Sequence, residues 1–289
     1  MHMSDPAPDP AVTGSPTVAQ LQSQLTRRLL AAGIDSPLPE ARALLTHVLR
    51  LDWSGLVLAG SRLLTPAETA QLEALTLRRL AREPLQHLLG SIEWGGVTLH
   101  VSPAALIPRP ETEVLLQLAL AALSGLSAPA VLDVGTGSGA LALGLAAARP
   151  DARVSASDVS ADALALAREN AEATGLDVTF LRSDLLEEVG GRYDLIVSNP
   201  PYLPEGDRQE AQPEVRHDPD LALYSGPDGL TLARRLVAQA PGHLAAGGRL
   251  LLELDPRNVD VLAGEMSGGW TVKVEADLAG RRRFVVAGR

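Results

Sequence analysis

The sequence predicts an α/β protein built on a seven-stranded, mostly parallel sheet whose last strand is antiparallel. From about residue 109 onward, short β-prone runs alternate with helical segments, which is typical of a parallel sheet covered by helices on both faces. The segment 277–282, between the last two runs, is too short for a parallel crossover. These two strands are therefore expected to form an antiparallel hairpin.

Hydrophobic periodicity places the elements of this domain in order. The strands are expected at 130–134, 153–157, 178–181, 194–198, 249–254, 271–276 and 283–287. The helices are expected at 111–124, 139–148, 160–174, 228–245 and 256–266. The chain shows no internal repeat, so we assign these elements to one domain, 109–289.

Three further regions precede this domain. Residues 1–16 are rich in Pro, Gly, Ser and Asp and are expected to form a disordered tail. Residues 17–85 carry leucines at helical spacing and a Thr-Pro-Ala-Glu helix start, which predict a small all-helical N-terminal domain. Residues 86–108 contain two β-prone runs around a Gly-Gly pair, which predict a β-hairpin linker that joins the two domains.

Composition excludes several classes of protein. The absence of cysteine excludes disulfides, cysteine–zinc sites and a cysteine nucleophile, and it suits a reducing, cytoplasmic environment. The net charge of −10 argues against a broad, non-specific grip on nucleic acid, which needs clustered cations. No signal peptide and no apolar run of about 18 residues is present, so no membrane association is expected.

A glycine-rich loop follows the first strand of the sheet. Its residues are Asp133, Val134, Gly135, Thr136, Gly137, Ser138 and Gly139, and a helix begins directly after them. Glycines allow a tight turn and let a ligand approach bare peptide N–H groups at the start of a helix. The Asp133 carboxylate suits the ammonium of a methionine moiety and would repel a pyrophosphate. Taken alone, such a loop is as typical of a plain strand-to-helix turn.

Two more acids follow the next two strands. Asp158 ends the second strand, where a carboxylate can accept both hydroxyls of a ribose. Asp184 follows the third strand, in a position to meet an adenine amino group, with Leu185 against the ring. Each acid alone would more often be a helix cap. Three acids at three successive strand ends favour an S-adenosyl-L-methionine site at the carboxyl edge of the sheet.

The fourth strand is followed by Asn199-Pro200-Pro201-Tyr202. The prolines restrict the backbone and remove two N–H groups, which leaves a rigid turn that presents carbonyl acceptors. The Asn199 side-chain oxygen and the Pro200 carbonyl could accept both hydrogens of one NH2 group and hold its nitrogen in line for methyl transfer. Tyr202 can pack on the flat acceptor. This motif predicts methylation of an amide or amine nitrogen.

In these motifs the chain resembles the peptide chain release factor glutamine methyltransferases, the PrmC/HemK family, from about Leu38 to Arg289. Besides the two loops, the resemblance includes Arg82-Glu83-Pro84-Leu85-Gln86, the run from Leu106 to Glu113, and Asp277 to Gly280. It implies a Rossmann-like methyltransferase sheet and transfer of a methyl group from S-adenosyl-L-methionine to the glutamine of the Gly-Gly-Gln motif in release factors 1 and 2. It also implies that the helical N-terminal domain helps to dock the release factor.

The resemblance assigns roles to particular residues. Substrate binding carries over onto Asn199, Pro200, Pro201 and Tyr202, with Asn199, Pro200 and Tyr202 as the catalytic residues. Cofactor binding carries over onto the loop from Gly135 to Gly139, Asp158, Asp184, Leu185 and Asn199. Two positions depart from the family pattern: many relatives carry an aromatic residue at Leu185, and Asp255-Pro256 stands where the family often has glycine.

Two alternative functions stay open at this point, and two groups of polar residues could have a structural role instead of a role in the site. An adenine-N6 DNA or RNA methyltransferase would use the same acceptor motif, but it needs base flipping and a cationic cleft, and the net charge of −10 weighs against it. A cofactor-binding regulator would not need Asn199. Arg109, Glu111 and Glu113 either line the acceptor cleft or simply begin a helix. The side chains of Glu210, Glu214, His217 and Asp218 could suggest a metal site, but we expect them to lie in a solvated loop. No metal site is therefore expected.

Overall fold

The computed structural model of the chain describes residues 15–266 and 268–289. The predicted tail, 1–16, therefore lies outside the described residues except at positions 15 and 16. The chain divides into two units, Met1–Leu89 and Gly90–Arg289.

The first unit is helical in its described part. Its helices are α1 (Val18–Ala31), α2 (Pro37–Leu49), α3 (Trp53–Leu58), α4 (Pro66–Leu80) and α5 (Leu85–Leu89). The helix start predicted at Thr65 is confirmed, because its hydroxyl accepts from the Glu68 N–H and the Glu68 carboxylate accepts from the Thr65 N–H. Leucines at helical spacing, such as Leu29, Leu44 and Leu45, are fully buried between the helices.

The second unit begins with a hairpin, β1 (Ser91–Trp94) and β2 (Val97–His100), and continues into a seven-stranded sheet. The strands of the sheet are β3 (Ala130–Val134), β4 (Arg153–Asp158), β5 (Thr179–Arg182), β6 (Tyr193–Ser198), β7 (Leu244–Glu253), β8 (Thr271–Ala276) and β9 (Arg282–Gly288). Their spatial order is β5-β4-β3-β6-β7-β9-β8. β3 to β7 pair in parallel, whereas β9 pairs antiparallel with both β7 and β8. The predicted fold class is thus confirmed.

Helices cover both faces of this sheet. They are α6 (Thr112–Ala122), α7 (Ala140–Ala148), α8 (Ala161–Thr174), α9 (Thr231–Gln239) and α10 (Val259–Glu265). Successive strand residues point to opposite faces, so Val131 packs in one buried cluster and Leu132 in the other. The order of strands reverses between β3 and β6, and this switch point is where open α/β sheets bind ligands.

Two predicted boundaries between α9 and β7 were wrong. The helix predicted to end at residue 245 ends at Gln239, and β7 begins at Leu244 instead of residue 249. The reason is pairing along β6: Tyr193 pairs with Leu244 and Leu195 with Arg249, so the intervening residues form an irregular bulge. Tertiary pairing here overrides the helix propensity of the Ala-Ala pair at 245–246.

Candidate active site

A cavity of about 320 Å³ lies at the carboxyl ends of β3 to β6, and we call it the cofactor cavity. Most of the residues that the sequence assigned to the cofactor line it: Asp133, Gly135, Thr136, Gly137, Ser138, Asp158, Asp184, Leu185 and Asn199. Gly139 does not. Its φ is +87°, and an added Cβ would lie 3.2 Å from a Leu143 methyl and 3.3 Å from the Ala167 Cβ, so this glycine lets α7 pack closely on α8.

Asp133 is the most deeply buried acid of the cofactor cavity, with 1% of its surface exposed. Its Oδ2 accepts from the Thr136 hydroxyl at 2.7 Å and from the Ala142 N–H at 3.2 Å. Its Oδ1 is buried and has no hydrogen-bond partner. Burial raises the pKa of this carboxyl to about 7, against the two hydrogen bonds, which lower it. The free oxygen fits a cationic group on a ligand.

The glycine-rich loop differs from the expectation that it presents bare N–H groups. The Gly135 and Thr136 N–H groups both donate to the Ser157 carbonyl, at 2.8 and 2.9 Å. The Gly137 N–H donates to the Asp158 carboxylate at 2.9 Å. The loop therefore pairs its own donors with β4 and the residue that ends it. Its positive φ angles at Gly135 (+71°) and Gly137 (+58°) serve the turn and leave room for a ligand.

The acids after β4 and β5 both stand in the cavity wall and are already partly engaged. Asp158 accepts one backbone N–H on each oxygen, from Gly137 and Ser160, and burial raises its pKa. Asp184 pairs with Arg235 of α9 at 2.9 Å. The sequence did not single out Arg235, which also lines the cavity, because the helix that carries it is distant in the chain.

A second cavity, of about 480 Å³, lies beside the acceptor loop, and we call it the acceptor cavity. Asn199 and Arg109 line both cavities, and Tyr202 lines the acceptor cavity. Pro201 faces the cofactor cavity, whereas Pro200 lines neither. Asn199 therefore stands in the wall that the two spaces share.

The Asn199 amide is held by one side chain. Its Nδ2 donates to the Thr112 hydroxyl at 3.2 Å, and its Oδ1 has no partner among residues 15–266 and 268–289. Thr112 lies at the start of α6 and is 4% exposed. Because the amide nitrogen is committed to Thr112, the oxygen is left as the acceptor at the shared wall.

The rest of the acceptor loop is fixed by close backbone packing. The Tyr202 carbonyl accepts from Asn258 Nδ2 at 3.1 Å, and the Leu203 and Ser225 N–H groups pair with the Leu223 and Leu203 carbonyls at 2.9 Å. A Cβ added at Gly229 would lie only 2.1 Å from the Tyr202 carbonyl oxygen. Burial raises the pKa of the Tyr202 phenol. The phenol therefore stays protonated.

The loop expected to be solvated after the acceptor motif is anchored at Asp218. This side chain is 5% exposed, pairs with Arg109 at 2.7 Å and accepts from the Ile107 N–H at 3.4 Å. The expectation of a solvated Asp218 was wrong, since Arg109 compensates its burial. Arg109 and Glu111 line the acceptor cavity, whereas Glu113 does not. In the described part of the chain, no group of three acidic, histidine or cysteine side chains could hold a metal ion.

Sequence reasoning missed one buried acid of the acceptor cavity. Glu253 ends β7, is fully buried and lines the acceptor cavity. Burial raises its pKa to about 7. The rule that found acids at three strand ends would have found this fourth one, because β7 ends at the same edge of the sheet.

Comparison with known proteins gives matches along almost the whole chain. A model of the PrmC N-terminal domain matches residues 20–90, and a model of the methyltransferase small domain matches residues 111–215. The release factor glutamine methyltransferase of Deinococcus radiodurans is 56% identical over 270 residues, which cover 93% of this chain and 97% of that protein. The same-named protein of Mycolicibacterium smegmatis is 43% identical over 273 residues, 91% of this chain and 95% of that protein.

Solved structures share the fold. The catalytic domain of hMettl16, in complex with MAT2A 3'UTR hairpin 6, superimposes with a TM-score of 0.54 at 16% identity, over 78% of this chain and 82% of that one. At this level of identity the likeness concerns the fold alone. In the described residues no helix is long and apolar enough to cross a membrane.

Proposed function

This chain belongs to the family of release factor glutamine methyltransferases, and we propose that its target is the glutamine of the Gly-Gly-Gln motif in class 1 release factors 1 and 2. It is an S-adenosyl-L-methionine-dependent enzyme that methylates a glutamine side chain of a release factor. The observation that carries the finer proposal is the placement of Asn199, whose free amide oxygen stands between the cofactor cavity and the acceptor cavity.

The residues of the cofactor cavity fit this cofactor. Bound S-adenosyl-L-methionine supplies an electrophilic methyl group on a sulfonium. The unpaired Oδ1 of Asp133 receives the ammonium of the methionine moiety. Each oxygen of Asp158 accepts one backbone N–H and keeps a lone pair for a ribose hydroxyl. Asp184 takes the adenine amino group, and Leu185 lies against the ring.

The acceptor loop orients the glutamine amide. Asn199 Oδ1 accepts one hydrogen of the substrate NH2 group at the wall that the two cavities share. The backbone carbonyl of Pro200, a residue that itself lines neither cavity, accepts the other, so that the face of the nitrogen is turned toward the cofactor cavity. Tyr202 packs on the plane of the amide. The cofactor held in the cofactor cavity would supply the methyl group to this nitrogen and leave as the neutral thioether. Asn199 and Pro200 stabilise the positive charge on the methylated nitrogen through their two oxygen acceptors until its extra proton passes to solvent.

The test is methyl transfer from labelled S-adenosyl-L-methionine to purified release factor 1 or 2, run in parallel with DNA and RNA. We expect label on both factors and none on a factor whose Gly-Gly-Gln glutamine is replaced by alanine. Label on nucleic acid alone would instead indicate methylation of adenine N6. No label on any of these molecules would indicate a protein that binds the cofactor without catalysing transfer.

A variant of the chain separates catalysis from cofactor binding. Asn199→Ala is expected to lower kcat by about a hundredfold or more, as loss of a transition-state hydrogen bond does. Its dissociation constant for the cofactor should stay within about threefold of the original. Loss of cofactor binding without loss of turnover at saturating cofactor would contradict the role given to Asn199.

A further inference from the structure

Glu253 differs from the other buried acids of the second unit. Asp133 accepts from Thr136 and Ala142, Asp218 pairs with Arg109, and Asp277 accepts from two backbone N–H groups. Glu253 is 0% exposed and, within the described residues, neither of its carboxylate oxygens has a partner at hydrogen-bond geometry; the Thr112 hydroxyl lies near enough only to lower its pKa in part. A buried carboxylate with so few hydrogen-bond donors lowers the stability of the fold, and proteins retain such groups mainly where a ligand supplies further donors.

The nearby cations do not compensate Glu253. Arg109 directs its guanidinium to Asp218 at 2.7 Å, and Arg283 directs its own to the Asp277 carboxylate and the Leu254 carbonyl, both at 3.4 Å. Their charges lower the pKa of Glu253 less than burial raises it. Thr112 and the two arginines together leave this carboxylate under-paired, and the acceptor cavity that it lines gives access to a donor from a bound molecule.

We propose that the Glu253 carboxylate accepts a hydrogen bond from a backbone N–H group of the glutamine-bearing segment of the release factor. The inference deepens the proposed function and rests on it. In that function, both hydrogens of the glutamine NH2 group are taken by Asn199 and Pro200. The donors left in a Gly-Gly-Gln segment are its backbone N–H groups, and glycine exposes these groups because it has no side chain. Glu253 is thus a substrate-binding residue that selects for an unshielded backbone.

The test uses two variants, Glu253→Gln and Glu253→Leu. The control is Glu172→Gln, which replaces a glutamate by glutamine on the exposed surface of α8, outside both cavities. Steady-state methylation of release factor 1 gives kcat and KM. Calorimetry gives the dissociation constant for S-adenosyl-L-methionine, and thermal unfolding gives Tm.

Glu253→Leu is expected to raise KM for the release factor about tenfold or more, since it removes a charge-assisted hydrogen bond. Glu253→Gln keeps one acceptor oxygen and should raise KM less. In both variants kcat and cofactor binding should stay within about threefold of the original. Tm should stay the same or rise, because an unpaired buried carboxylate is removed. Glu172→Gln should change none of these quantities.

An unchanged KM in Glu253→Leu would overturn the inference while leaving the proposed function intact. A fall in kcat at constant KM would also overturn it, since the carboxylate would then act on the reacting atoms. A lower Tm in both variants together with a higher KM would indicate a structural role instead. Failure of the unaltered chain to label release factor would overturn the proposed function and this inference with it.

Discussion

Replacing Asp133 with asparagine is expected to abolish a pH dependence of cofactor affinity that the buried carboxyl creates. Asp133 is 1% exposed, and burial raises its pKa to about 7, so it exchanges its proton near neutral pH. A ligand ammonium at the unpaired Oδ1 is attracted to the ionised form only. Binding should therefore strengthen as the pH rises toward and past 7.

The size of the effect follows from the fraction of ionised carboxyl. With a pKa of about 7, about one tenth of the chains are ionised at about pH 6 and about one half at about pH 7. The apparent dissociation constant should therefore be about tenfold higher at about pH 6 than at its limit.

The same carboxyl affects the stability of the free protein. The folded-state pKa lies above the ordinary value of 3.8 for an aspartate. The Asp133 carboxyl therefore leaves the unfolding free energy unchanged below about pH 4 and lowers it increasingly up to about pH 7. The full cost is about 4 kcal/mol, from a shift of about three pKa units. Asparagine should thus raise the unfolding free energy of the free protein at about pH 8. The gain should be smaller than this amount, because the asparagine oxygen keeps the Thr136 and Ala142 hydrogen bonds while its NH2 group is buried without an acceptor at the Oδ1 position.

Isothermal titration calorimetry with S-adenosyl-L-methionine between about pH 5.5 and 7.5 measures how the dissociation constant changes with pH. The range ends below about pH 8 because the α-amino group of the ligand itself loses its proton there. Asp133→Asn should bind weakly and with a flat pH profile. Asp177→Asn, an exposed aspartate between α8 and β5, is the matched control. Glu253→Gln removes the other carboxyl with a pKa of about 7 and should keep the original profile. A pH dependence that survives in Asp133→Asn would refute the reasoning.

Two further substitutions test how the acceptor loop is held. Thr112→Val keeps the shape of the side chain but removes the hydroxyl that accepts from Asn199, so the Asn199 amide can rotate. We expect kcat to fall about tenfold while cofactor affinity stays unchanged. Steady-state methylation measures the first quantity and calorimetry the second. Gly229→Ala places a Cβ against the Tyr202 carbonyl at a φ of +77°, and it should lower the unfolding free energy in urea by about 1–3 kcal/mol. An unaltered urea midpoint for Gly229→Ala, or an unaltered kcat for Thr112→Val, would contradict these two contacts.

The residues that the sequence predicted well are those tied to strand ends. Asp133, Asp158 and Asp184 could be placed in one cavity because the carboxyl ends of parallel strands meet at one edge, a consequence of topology that periodicity reveals. The antiparallel ending could be predicted because a short connection permits no other pairing.

What the sequence did not reveal depends on contacts between distant segments. Arg235 reaches Asp184 from α9, and Thr112 reaches Asn199 across 87 positions. The pairing of the glycine-rich loop with the Ser157 carbonyl depends on the register of β3 against β4, which no local pattern fixes. The under-paired state of the buried Glu253 carboxylate is likewise a property of packing.

The position of β9 makes assembly of the sheet depend on the order of synthesis. Of the seven strands it leaves the ribosome last, yet it is inserted between two strands made earlier. Until it arrives, β7 carries an open edge and β8 has no neighbour in the sheet, a state whose unpaired backbone groups invite association with other chains. Glu253 of β7 pairs with Phe284 of β9, and the preceding residue, Arg283, lines the acceptor cavity, so this part of the cavity wall is complete only when β9 has joined the sheet. No residue of β8 or β9 lines the cofactor cavity, so of the two cavities it is the acceptor cavity whose wall depends on the last strand.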